Sequence, residues 1–227
     1  MTELRHIKLG EGIPLKNEKI TNIILENSTH FYKFTTHLQE AFNGNYENIE
    51  VIRKDKVLNL STNSLFISDI ISFDVNTRKL KTDLIKGINK NIEEDFEKDV
   101  KELSEKLKSI INEHLTMYGN IIYKEEIEIS DYIKMIDITI DDKKDSLIER
   151  ILIWLQTFIE LYRIDFYFFI NLFDYLSSEE VDTLKLFCMQ QKIAIINISR
   201  AKIQDEYTGI TQYIIDKDTC IIIKNQS

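Results

Sequence analysis

Between Leu80 and Ile111 the residues Leu80, Leu84, Ile88, Ile92, Phe96, Val100, Leu103, Leu107 and Ile111 recur every three or four positions in an otherwise charged stretch. That period marks one apolar face of a long helix. At about 1.5 Å per residue the helix would extend for roughly 50 Å, a rod that few compact domains need. The segment, from Asp74 to about Tyr118, is expected to form a helical arm, with Asp74 or Asn76 as its amino-terminal cap and Gly119 closing it.

The stretches on either side read differently. Ile20 to Leu25 is a short apolar strand, followed by a helix capped by Ser28 or Thr29 with Phe31, Phe34, Leu38, Ala41 and Phe42 on one face. Ile49 to Ile52 and Val57 to Leu60 alternate like a hairpin, and Ser64 to Ile67 restarts a strand. Past the arm, a second helix from Ser146 to Tyr162 presents Leu147, Ile151, Trp154, Leu155, Phe158 and Tyr162 on one face, long enough to pack back along the rod. Then the continuous apolar runs Phe166 to Ile170, Ile193 to Ile198 and Cys220 to Ile223 predict strands covered on both faces. Between the first two of these runs, Ser177 with Glu180 three residues later is a capping box. Strand, helix and strand in this order predict a crossover in a mainly parallel sheet.

The fold class is therefore α/β: a discontinuous, mainly parallel-sheet head, residues 1–75 and 163–227, with an inserted helical leg, residues 76–162. The two head pieces are each thin for a domain, and together they make one sheet. With a single proline and six glycines in 227 residues, long flexible linkers are not expected.

Small motifs carry a family resemblance. Asp69-Ile70-Ile71-Ser72-Phe73-Asp74-Val75-Asn76, between an apolar strand and a long charged helix, resembles the junction of the ring-forming spacer-acquisition proteins of type II-A CRISPR loci. Phe168-Phe169-Ile170-Asn171, followed by Tyr175-Leu176-Ser177-Ser178-Glu179-Glu180-Val181, resembles the same family's later strand and Tyr-Leu-Thr-x-Asp/Glu-Glu-Val pattern. Order, spacing and length fit over nearly the whole chain. The resemblance implies a nucleotide-hydrolase-like head without a working phosphate loop. It further implies a homotetramer that encircles double-stranded DNA and engages its ends, stabilised by calcium. The CRISPR integrase complex and the RNA-guided effector nuclease are the implied partners.

Catalytic signatures are missing from the sequence. There is no Gly-x-x-x-x-Gly-Lys-Ser/Thr and no Gly-x-Gly-x-x-Gly, and Gly10-Glu11-Gly12 precedes its strand instead of following it. His6, His30, His37 and His114 form no ligand-spaced pair and read as surface or capping residues. No Gly-x-Ser-x-Gly elbow occurs. The enzymatic alternative is a metal-dependent nuclease using Glu126, Glu128 and Asp131, or Asp142 and Lys144. Against it, Asp142-Lys143-Lys144 lies in a polar loop before a helix, where solvation and capping account for it. A third reading is a protein-binding adaptor that uses the long helix and has no DNA affinity.

The acidic run Glu125, Glu126, Glu128 and Asp131 reads as a solvated face or as a calcium site. Calcium takes six to eight oxygen ligands; in an extended segment Glu126 and Glu128 face one way and Asp131 can close the set. The resemblance implies the calcium reading. Net charge of −9 excludes a uniformly basic surface but not a local one. Candidate phosphate contacts are Lys54 and Lys56, beside Arg53 in the hairpin; Arg78, Lys79, Lys81 and Lys86 opening the long helix; and Arg200 and Lys202 beyond a strand's carboxyl end, where open sheets place ligands. The aromatic cluster from Trp154 to Phe169 is read as core, and Cys188 and Cys220 as buried thiols in a reducing compartment. Met1 to His6 shows no secretory core and no run approaches membrane-spanning length, so a cytoplasmic protein is expected.

Overall fold

In the computed structural model the described residues are 2–115, 129–201 and 209–225. They divide into two compact units, Met1–Phe73 with Asp142–Ser227, and Asp74–Asp141.

The first unit opens with β1 (Thr2–His6), β2 (Ile13–Leu15), β3 (Lys19–Leu25), α1 (Ser28–Phe42), β4 (Ile49–Arg53), β5 (Lys56–Val57), α2 (Leu60–Asn63) and β6 (Ser64–Ile67). The second unit holds α3 (Arg78–Leu115) and α4 (Ile129–Met135). The chain then returns to the first unit through α5 (Leu147–Tyr162), β7 (Phe166–Ile170), a 3-10 turn (Leu172–Asp174), α6 (Ser178–Gln191), β8 (Ala194–Ser199), β9 (Thr211–Ile215) and β10 (Ile221–Asn225).

The first unit contains a six-stranded sheet in the order β10-β9-β3-β8-β7-β6, in which only β10 pairs antiparallel. Its inner strands are apolar because both faces are covered: Phe166, Tyr167, Phe168 and Phe169 of β7 have no exposed surface, whereas edge strand β10, expected to be covered as well, leaves Ile222 and Ile223 more than half exposed. One face shares a core with α1, through Phe34, Leu38 and Ala41, and with a second sheet. That second sheet, β2-β1-β4-β5, is antiparallel throughout. The head is thus two sheets and not the single expected one. Strands β1, β2 and β9 were not foreseen, being short or mixed in polarity.

Helix ends follow their capping chemistry. The cap of α1 is Asn27, one residue before the expected Ser28: its Oδ1 accepts from the N–H groups of Thr29 and His30 at 2.8 and 3.1 Å. The capping box of α6 forms as the sequence predicts, with Ser177 Oγ accepting from Glu180 N–H and Glu180 Oε2 accepting from Ser177 N–H.

The leg is shorter than expected. Its predicted span of 76–162 gives way to Asp74–Asp141, because α5 belongs to the α/β unit. Ile151, Trp154 and Leu155 of α5 are wholly buried there, and Tyr167 O–H donates to the Leu155 carbonyl. Phe73 lies 4.8 Å from Trp154, ring centre to ring centre. An amphipathic helix buries its apolar face where apolar surface is densest. Nor is α3 one rod: Phe96 has φ −133° and ψ 20°, outside helical geometry, so the segment is two helices joined at that residue. Thr77 caps it, its Oγ1 accepting from Leu80 N–H at 3.3 Å, in place of the expected Asp74 or Asn76.

Candidate nucleic-acid interface

The junction residues make backbone turns. Asp69 Oδ1 accepts from the N–H groups of Ile71 and Ser72, and its Oδ2 accepts from Ser72 Oγ–H at 2.6 Å. These bonds, the Ser72 hydroxyl first, hold the Asp69 carboxyl below its ordinary range. Within the leg, Asp74 Oδ1 accepts from Asn76 N–H. Asn76 in turn clasps Ile140: its Nδ2 donates to the Ile140 carbonyl at 2.9 Å, and Ile140 N–H donates to its Oδ1 at 2.8 Å. The motif that marks the junction is therefore a set of turn locks.

The second motif does similar work. Asn171 adopts φ 55°, a conformation its short polar side chain tolerates, and donates its N–H to the Ile198 carbonyl. Leu172 N–H donates to Asn197 Oδ1 at 2.8 Å. Asn197 and Asn22, a pair that sequence reasoning missed, are both fully buried and hydrogen-bonded across adjacent strands. Their signal was a lone Asn inside each of two apolar runs.

The turn from β3 to α1 is where a parallel nucleotide-hydrolase sheet would wrap phosphate. Here it is only Glu26 and Asn27. Glu26 donates its N–H to the Ile215 carbonyl and Asn27 caps the helix, so these groups are occupied within the fold.

Lys54 lies in the tight turn between β4 and β5 and Lys56 follows it; Lys54 and Asp55 take φ 50° and 62°, the left-handed pair that suits a two-residue hairpin. Both lysines are exposed. Their neighbour Arg53 is diverted inward, paired with Asp165 at 2.8 Å and stacked over Phe166 at 4.9 Å. In the leg, Arg78, Lys79, Lys81 and Lys86 occupy the first turns of α3. Lys79 and Lys86, two turns apart, fall on one side of the helix. Arg200 is exposed just beyond β8. Among the described residues, Lys86 alone of these candidates forms an ion pair, with Asp83 at 3.4 Å. The hairpin lysines and Arg200 sit on different sheets of the head.

Lys202 and the acids Glu125, Glu126 and Glu128 lie outside the described residues. Asp131 is in the first turn of α4, its Oδ1 3.4 Å from Lys134 Nζ. Among the described residues no three His, Cys, Asp or Glu side chains are grouped to hold a metal ion.

Three readings of individual residues change. Asp142 Oδ2 accepts from Trp154 Nε1–H at 2.9 Å, which gives this loop acid a packing role. Cys220 is exposed, contrary to expectation, while Cys188 is buried and its thiol is pushed up to about 12 by that burial, leaving it unreactive. His6 is neither a surface nor a capping residue: it is 7% exposed and its Nε2 lies 3.0 Å from His37 Nδ1.

A mainly parallel α/β sheet with helices on its faces and no glycine loop after its central strand defines the class: a nucleotide-hydrolase-like fold without the phosphate cradle. Solved structures agree on the fold. CbiO1 from Clostridium perfringens, part of the ABC transporter complex CbiONQ, covers 99% of this chain and 88% of its own at TM-score 0.54 and 13% identity. Stu0660 of Streptococcus thermophilus covers 99% and 75%, at TM-score 0.52 and 14% identity. In sequence, residues 41–219 match the family described as CRISPR-associated protein (Cas_Csn2). The CRISPR-associated protein Csn2 of Streptococcus agalactiae is 26% identical over 171 residues, 73% of this chain and 74% of that protein. The chain belongs to the Csn2 family of CRISPR-associated proteins, which places it in CRISPR defence. Among the described residues no helix is long and apolar enough to cross a membrane.

Proposed function

We propose that this chain is a non-enzymatic, double-stranded DNA end-binding protein that closes into a homotetrameric ring and serves spacer acquisition in the cytoplasm. The observation that carries the reading is a set of exposed cations without acidic partners among the described residues: Lys54, Lys56, Arg78, Lys79 and Arg200. In a chain of net charge −9, cations left unpaired mark where a polyanion is held. Phosphate contacts of this kind fix position without reading bases. Family membership supports the CRISPR setting, with the integrase complex and the RNA-guided effector nuclease as partners. The carboxylates of Glu125, Glu126, Glu128 and Asp131 are the hard oxygen donors that would hold calcium; the ion would add fixed positive charge to that acidic run.

A gel shift comparing a linear duplex with the same sequence as a closed circle, with calcium or with chelator, tests the reading alongside a mass determination. Binding to linear DNA alone, calcium-supported, by a tetramer and without cleavage, is expected. Equal binding to the circle points to an open groove, no binding at low salt to an adaptor, and cut DNA to a nuclease.

A further inference from the structure

One edge of the six-stranded sheet is β10, which pairs with β9 on one side and, among the described residues, with no strand on the other. Asp216 N–H donates to the Cys220 carbonyl at 3.1 Å, so Cys220 turns its backbone towards β9. Residues of an antiparallel pair point their N–H and C=O groups alternately towards the partner strand and away from it. The backbone groups of Ile222 and Lys224 therefore face β9, and those of Ile221 and Ile223 are directed at the open edge. Such a row of unpaired groups is a template for another strand.

Nothing within β10 defends that edge. It has no proline, and its register with β9 runs unbroken from Ile221 to Asn225. Its one charged residue, Lys224, stands near its end. Successive side chains of a strand point to opposite faces, so Ile222 and Ile223 lie on the two faces of the sheet, and both are more than half exposed. A strand with a solvated face carries polar residues there, whereas one apolar on both faces belongs inside a sheet. Strand β10 thus has the sequence of an interior strand at an exterior position.

Charge selects the occupant. The turn before the strand, Asp216-Lys217-Asp218, is net acidic, and the far end of the strand is basic. A second β10 laid antiparallel sets the lysine of each copy towards the acidic turn of the other. Laid parallel, it would set like charge beside like.

We propose that β10 pairs antiparallel with β10 of a second copy of this chain about a two-fold axis, joining two six-stranded sheets into one. Ile221 then stands opposite Ile223 of the second copy, the two exchanging both backbone hydrogen bonds, and Ile222 meets its own counterpart on the axis. A two-fold contact uses the same patch on both partners, which an antiparallel pair of identical strands satisfies by construction. The contact involves neither DNA nor calcium, so it stands or falls apart from the ring reading.

Sedimentation velocity on the full-length protein, in chelator and without DNA, tests the pairing. The variant I223P removes an N–H aimed at the open edge and none aimed at β9, and I222K places charge on the axis. With circular dichroism spectra matching the parent, both are expected to halve its mass, from dimer to monomer or from tetramer to dimer. Mild oxidation gives a second readout. Directly opposed residues hold their Cβ atoms about 4.5–5.5 Å apart, closer where they share no backbone bond, which brings them near disulfide reach. A disulfide-linked dimer is therefore expected from I222C/C220S and not from L186C/C220S, the exposed control position on α6. A monomeric parent, a mass that either folded variant leaves unchanged, or equal linking of the two cysteine variants overturns the proposal.

Discussion

Asn197 Nδ2 donates to Asn22 Oδ1 at 2.7 Å, joining the paired strands β8 and β3 through two side chains that have no exposed surface. Asn197 Oδ1 simultaneously accepts from Leu172 N–H, so one amide ties two central strands to the turn that leads into α6. Replacing Asn197 with Ala would leave the buried Leu172 N–H unpaired and reduce Asn22 Oδ1 to the long 3.4 Å bond from Ser199 Oγ–H. With about 1–3 kcal/mol for an orphaned group, Asn197→Ala is expected to lose up to roughly 3 kcal/mol. Urea unfolding should show a lower midpoint at unchanged slope; an unchanged midpoint would show that the network contributes nothing.

The histidine pair gives a pH dependence of defined sign. Lys8 N–H donates to His6 Nδ1 at 3.2 Å, so in the neutral ring the proton sits on Nε2, facing His37 Nδ1. His6 can gain a proton only at Nδ1, which places N–H against the Lys8 N–H. The folded His6 value, about 4 against an ordinary 6.5, means the unfolded chain takes up its proton first as pH falls. Stability from this group is full above about pH 6.5 and is lost progressively towards pH 4, by about 3 kcal/mol at most. Thermal melts from pH 7.5 to 4.5 should flatten measurably in His6→Phe; an equally steep decline in the variant would assign the effect elsewhere.

The Trp154 to Asp142 bond separates packing from chemistry at the loop that resembles a nuclease motif. Trp154→Phe loses the donor, about 1 kcal/mol, and leaves a smaller cavity than Trp154→Ala, which costs about 3–5 kcal/mol. Asp142→Asn retains an acceptor oxygen and should melt within a degree or two of the parent. Magnesium-dependent DNA cleavage that vanished in Asp142→Asn would restore the nuclease alternative.

For DNA affinity, the double variant Lys54→Gln and Lys56→Gln should weaken duplex binding across sequences without changing the melt. If both side chains touch phosphate, the slope of log affinity against log salt becomes shallower by about 1.8, at about 0.9 per contact. An unchanged slope would remove the hairpin from the interface.

Much of the head could be read in advance because its determinants are local. The apolar runs of β3, β7 and β8 are continuous, and Ser177 and Glu180 announce α6 within four residues. The second sheet could not be read that way: β1 is Thr-Glu-Leu-Arg-His, and it is a strand because Leu4 finds a core shared with Ile13 and Val51. The same limit misplaced α5, whose apolar face fits any apolar surface and whose partner Phe73 is distant in sequence. Of the candidate cations, the sequence could name the hairpin group but could not foresee that Arg53 would turn to Asp165.

The clasp between Asn76 and Ile140 brings the two ends of the leg to within one side chain of each other. An insertion whose ends meet imposes almost no spacing requirement on the chain that hosts it. Its length is then free to drift: residues can be added or removed between those ends without the host strands changing register. Relatives with legs of very different size, built on one unchanging head, are the expected outcome, and so is a viable miniature in which a short turn replaces the leg.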